Sequence, residues 1–83
     1  MKIRKQRVKD RLAEMGNTQI WLAGKLGVSR QSLNQTIKGN PSTSSIKKIA
    51  SILGLNPIDL VEPGKGYEHY YKDKEWQGIR KIS

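Results

Sequence analysis

The glycines at positions 16, 27, 39 and 54 each close a segment whose apolar residues recur at helical spacing. Each is followed within three residues by a side chain suited to starting another helix. That punctuation divides the chain into short helices separated by tight turns. The spacing predicts a first helix from about Ile3 to Met15, with Val8, Leu12 and Met15 on one face. Thr18 is suited to cap a second helix, in which Leu22, Ala23 and Leu26 form the inner stripe. Gly24 inside it is a weak helix former. Val28, just after Gly27, reads as a buried plug. Ser29 then caps a third helix, Arg30 to about Lys38, with Leu33 and Ile37 turned inward. Asn40-Pro41 makes a loop. Ser42 or Thr43 starts a fourth helix that carries Ile46, Ile49, Ala50, Ile52 and Leu53. Asn56-Pro57-Ile58-Asp59 reads as an N-cap, a proline at the first helical position and an acid in the first turn, so a short fifth helix closes near Val61.

At 83 residues the chain has room for one small domain with a modest core. The absence of cysteine excludes a disulfide framework and thiolate metal sites, and suits a reducing cytoplasm. No apolar run approaches the roughly 20 residues needed to span a bilayer, so no membrane partner is expected. The basic N-terminus has no apolar stretch behind it, which argues against a signal peptide.

Charge is distributed unevenly. The formal net charge is +9, from 16 Lys and Arg against 7 Asp and Glu. Lys2, Arg4, Lys5, Arg7, Lys9 and Arg11 crowd the start of the chain. From Met15 through Ile58 there is no acidic residue, while Lys25, Arg30, Lys38, Lys47 and Lys48 fall inside that stretch. Such a surface suits a polyanion, although Lys47 and Lys48 taken alone read as a solvated face.

After Pro63-Gly64-Lys65-Gly66 the composition changes. Residues 67–83 hold all three tyrosines, the only histidine and one of the two tryptophans. The chain therefore divides into residues 1–62 and a basic aromatic tail, 63–83. That tail reads equally as a short β-hairpin around Lys72-Asp73-Lys74 or as disorder. His69 reads as an ordinary surface residue, since a lone histidine without cysteine cannot assemble a metal site.

The stretch Thr18 to Lys38 carries the functional signal. It places two short amphipathic helices around a glycine-containing turn, and the second is rich in Arg, Gln, Ser and Asn. One helix braces while the other presents polar tips, which is the arrangement of a helix-turn-helix. The chain resembles the Cro/C1-type, or XRE-like, helix-turn-helix family. The resemblance rests on Thr18-Gln19, Leu22-Ala23, Leu26-Gly27-Val28-Ser29-Arg30-Gln31-Ser32-Leu33, Lys38-Gly39-Asn40-Pro41-Ser42 and Ile46 through Leu55, and spans about Val8 to Val61. It implies an all-α fold, a compact five-helix lambda-repressor-like DNA-binding domain with a C-terminal tail, whose third helix enters the major groove.

Carried over by position, Gln19 meets a phosphate, Ser29 to Ser32 form the exposed front of the third helix, and Asn34 and Gln35 lie one turn later. Side-chain chemistry agrees. Arg pairs bidentately with guanine, and Gln or Asn with adenine. The expected base contacts are therefore Arg30, Gln31, Asn34 and Gln35. Ser29 and Ser32 hold the cap or a phosphate, and Lys38, Asn40 and Thr43 meet the backbone beyond the helix. Two positions depart from the family pattern: Thr36 stands where an apolar residue is common, and Ile37 where an acid is frequent. Both blur which face of the third helix packs inward, and with it the role of Gln35. Trp21, at a usually polar position, is expected to pack against the first helix.

The resemblance further implies a sequence-specific transcriptional regulator, a repressor that occludes an operator, acting as a homodimer on a pseudo-palindromic double-stranded DNA site. A second reading makes the domain a protein-interaction module, such as an antitoxin, with the tail binding a protein partner. An enzyme is not expected. The chain has no paired carboxylates in its core, no Ser-His-Asp set and no glycine-rich phosphate loop, and no cofactor is implied.

Overall fold

In the computed structural model, which describes residues 1–82, the chain runs β1 (Lys2–Ile3), α1 (Lys5–Met15), α2 (Gln19–Leu26), α3 (Arg30–Lys38), α4 (Thr43–Leu53), α5 (Pro57–Leu60), β2 (Val61–Glu62), β3 (Tyr67–Lys72) and β4 (Glu75–Lys81). Ser83, the last residue of the expected tail, lies outside the described residues.

The five expected helices are present, and the capping side chains start three of them. Thr18, Ser29 and Ser42 accept the backbone amides of Trp21, Ser32 and Ser45 through their hydroxyls. Asn56 takes the cap position of α5 without a side-chain bond. The inward faces merge into one core of Val8, Leu12, Leu22, Ala23, Leu33, Ile37, Ile46, Ile49, Ala50, Leu53 and Leu60, joined by Ile3, Val61 and Trp76.

Four expectations are corrected. The first concerns the all-α fold: the five-helix domain is present, but besides the strand pair of the tail a second antiparallel pair, β1–β2, accompanies it. The second concerns the start of α1. Lys2 and Ile3 pair instead with Glu62 and Val61, and the Arg4 amide donates to the Leu60 carbonyl at 2.7 Å, so both ends of the helical segment are clasped together. The third is Val28, which is 44% exposed rather than a buried plug. Its amide bonds back to the Ala23 carbonyl to finish α2, and its side chain is left at the mouth of a small gap between α3 and α4. The fourth is His69, which is half-buried, and whose Nδ1 accepts the Trp76 indole N–H at 2.9 Å.

Of the two readings of the tail, the hairpin is the one observed. Tyr67 pairs with Lys81 and Lys72 with Glu75, and Asp73-Lys74 turns the chain with φ of 53° and 69°. Tyr70 faces Gly78 while Tyr71 faces Trp76, so Gln77 is an extra residue on β4. This bulge resets the alternation of faces, and Trp76 and Ile79, three residues apart, both reach the core. Gly78 is required beside it. Its φ is +126°, and a Cβ there would lie 2.9 Å from the Thr43 hydroxyl.

Candidate nucleic-acid interface

The site grows from the turn between α2 and α3. Gly27 adopts φ +71°, a left-handed conformation that lets the chain reverse in one residue. Ala23 is buried, as is Leu33, the first inward residue of α3. With Leu33 and Ile37 buried, helical geometry sorts the other side chains of α3 into rows. Gln31 and Gln35 form the row facing most directly away from the core, and both are exposed. Arg30, Asn34 and Lys38 form the row beside it.

The sequence left the inward face of α3 in question because of Thr36 and Ile37. The structure buries Ile37, while the Thr36 hydroxyl donates to the Ser32 carbonyl at 3.0 Å. Ser29 and Ser32 are tied together in the same way: the Ser29 hydroxyl accepts the Ser32 amide and donates to the Ser32 hydroxyl, both at 3.1 Å.

The row Arg30, Asn34 and Lys38 forms one wall of an open groove. The other walls are Thr18, Gln19 and Ile20 at the start of α2 and Lys5 and Lys9 on α1. No carboxylate lines it. Arg30, Asn34, Gln19 and Lys38, taken from the sequence as contact residues, are therefore brought together. Gln31 and Gln35 stand outside the groove on the crest of α3. Asn40 is exposed in the loop after α3, beside the buried Pro41. Thr43 is half-buried and packed beneath Gly78. Trp21 is half-buried against the core, with the Lys25 ammonium 5.8 Å from its ring centre.

Lys5 and Lys9 were not singled out as contact residues. Within the N-terminal basic cluster, the structure separates arginines from lysines. Arg4 pairs with Glu62, and Arg7 and Arg11 with Glu14. Arg11 also donates through Nε to the Leu53 carbonyl at 2.6 Å, where α4 ends. Among the described residues no carboxylate pairs with Lys5 or Lys9, so their charge is available to the groove. The four-residue spacing of Lys5 and Lys9 beside the Val8–Leu12 stripe was the signal that could have found them. A second concavity, lined by Lys2, Ile3, Arg4, Lys5, Gln6, Ile37, Lys38 and Glu62, shares Lys5 and Lys38 with the first. The basic channel thus continues past the C-terminal end of α3.

Among the described residues, no cluster of His, Cys, Asp or Glu is arranged to hold a metal ion, and no helix is long and apolar enough to cross a membrane. A capped, glycine-hinged helix pair with an acid-free basic groove beside its second helix defines a DNA-binding helix-turn-helix regulator. The chain belongs to the helix-turn-helix family, of the Cro/C1 type: its family model matches residues 8–60, from the first turn of α1 to the end of α5. No curated protein and no solved structure matches the chain.

Proposed function

We propose that this protein reads a specific double-stranded DNA sequence by inserting α3 into the major groove, and that it represses transcription by occupying an operator. The observation that carries this reading is the acid-free groove in which Gln19, Arg30, Asn34 and Lys38 converge with Lys5 and Lys9.

A phosphodiester strand at the edge of the major groove lies along that channel. Lys5 and Lys9 meet it from one side, Lys38 and the start of α2 with Gln19 from the other. Unpaired amides at a helix start favour an anion there. Held in this register, α3 presents Gln31 and Gln35 to base edges, with Arg30 and Asn34 at the boundary between base and backbone. Arg30 is suited to guanine, and Gln31, Asn34 and Gln35 to adenine. Ser29 and Ser32 reach the backbone at the start of α3, and Asn40 beyond its end, with Thr43 restricted by Gly78. The proposed action needs no cofactor.

One recognition helix spans only a few base pairs, so the protein acts as a homodimer on a pseudo-palindrome with half-sites about 34 Å apart. Selecting bound duplexes from a random pool tests the whole reading. The expected product is a two-fold symmetric motif with that spacing. Enrichment of no motif at all would overturn sequence-specific recognition.

A further inference from the structure

The C-terminal hairpin carries its charge asymmetrically along its length. At the tip, Lys72 and Lys74 stand beside Asp73 and Glu75, and their side-chain charges cancel. At the open end, Lys65, Arg80 and Lys81 face a single acid, Glu68, which leaves an excess of two positive side-chain charges. Glu68 is held by Arg80, whose Nε lies 2.8 Å from it and whose guanidinium stacks 4.7 Å from the Tyr70 ring centre. Lys65 and Lys81 are exposed, and no carboxylate pairs with them among the described residues.

Two independent observations point the open end toward the N-terminus of α4 and the end of α3. Trp76 shares a concavity with Ala50 and Ser51 in the C-terminal half of α4 and with Leu55 just beyond it, whereas Gly78 sits on Thr43, the first residue of α4. Strand β4 therefore climbs α4 toward its N-terminus. At roughly 3.3 Å per residue, an extended β4 carries Lys81 about 10 Å beyond Gly78, past the first residue of α4. From the other side, Glu62 lines the same concavity as Ile37 and Lys38, and Lys65 follows only three residues later, within about 10 Å of chain. The hydrogen bonds Tyr67 N–H to Gly64 O at 3.2 Å and Ile82 N–H to Gly66 O at 2.9 Å tie this end shut.

We propose that the open end of the hairpin is a second DNA-backbone site. Lys65 and Lys81 contact phosphates next to those met by Lys38 and Asn40. The inference rests on α3 reading DNA, and extends the contact past the segment matched by the family model. It also accounts for the placement of Thr43: strand β4 covers that side chain, and the lysines of the hairpin take over the phosphate contact at this edge.

The test uses the full chain and the duplex selected by the wild-type protein, and compares Lys65→Gln/Lys81→Gln with Lys72→Gln/Lys74→Gln. Binding is followed by fluorescence anisotropy over a range of salt concentrations. Two lost phosphate contacts lower the salt slope of the open-end variant by about two, and its affinity roughly 10- to 100-fold near 0.1 M salt. Its selected sequence motif and melting temperature stay those of the wild type. The tip variant binds as the wild type does. Ethylation interference then shows protected phosphates lost only beside those that depend on Lys38. An unchanged salt slope, or equal losses in both variants, overturns the hairpin site. Wild-type protein that selects no motif overturns the parent reading instead, and the Arg30→Ala control separates the cases: a changed motif there with an unaffected open-end variant removes the hairpin site alone.

Discussion

Arg30 and Lys38 stand two turns apart on one wall of the same groove, and the proposed function gives them different work. A guanidinium at the start of α3 can pair with both major-groove acceptors of guanine, which a point-charged ammonium cannot do. Replacing Arg30 with Ala should cost about 1–3 kcal/mol on the selected site and relax preference at one base position. Lys38→Ala should weaken binding to every sequence alike and reduce the salt slope by about one. Comparing the two variants on selected and random duplexes checks this; equal losses on both duplexes from Arg30→Ala would sink its role as a base reader. Arg11 has a third kind of work. Its Nε donates to the last carbonyl of α4, and its carboxylate partner is Glu14. Arg11→Gln should lower stability by about 1–2 kcal/mol in urea unfolding while leaving DNA affinity near the wild-type value. A large loss of affinity at unchanged stability would instead make Arg11 a phosphate contact.

Among the elements, the hairpin turn has the clearest local conflict. Asp73 and Lys74 both adopt positive φ, the mirror-image turn that joins adjacent antiparallel strands. Lysine is strained there and glycine is not, so Lys74→Gly should stabilise the protein by about 0.5 kcal/mol after the entropy of the unfolded glycine is set against the relieved strain. Thermal unfolding reads the gain, and a loss would show that the Lys74 side chain contributes more than its backbone costs. The same conflict explains why residues 67–82 could be read two ways from the sequence. An Asp-Gly pair would have announced the turn; Asp-Lys does not. Helices α2 to α4 were legible because each carries its own start and stop, as with Thr18 and Gly27 around α2. The pairing of Lys2–Ile3 with Val61–Glu62 was not. Two-residue strands have no periodicity, and their partners lie nearly sixty residues apart. Val28 misled for a related reason: an apolar residue in a tight turn looks buried until the packing around it is known. In the groove, Arg30, Asn34 and Lys38 were legible from the turn and their side-chain chemistry, and Gln19 from the family resemblance. Lys5 and Lys9 share a helical row that the sequence shows, but which cations of that cluster stay unpaired depends on which arginines the carboxylates occupy.

At the scale of the molecule, the question is whether the hairpin is an appendage or part of the fold. A two-stranded hairpin alone is marginal in water, so it must borrow its stability from what it packs against. Trp76 is the means. It is 4% exposed within the helical core, its indole N–H is satisfied by His69, and the bulge at Gln77 sets Ile79 on the same side. The contact works in both directions, because β4 meets α4 at two points, Trp76 beside Ala50 and Gly78 against Thr43. That helix in turn holds the loop after α3 in place. Trp76→Ala should therefore cost about 3–5 kcal/mol, a large share of the roughly 5–15 kcal/mol that stabilises a small domain. At about 4–8 °C per kcal/mol for a domain of this size, the melting temperature falls by at least about 12 °C, and unfolding remains a single transition. A chain whose hairpin merely trails from a finished helical domain behaves otherwise: calorimetry of Trp76→Ala would then show the main transition unmoved. The expected coupling means that α3 and the hairpin gain or lose their order together.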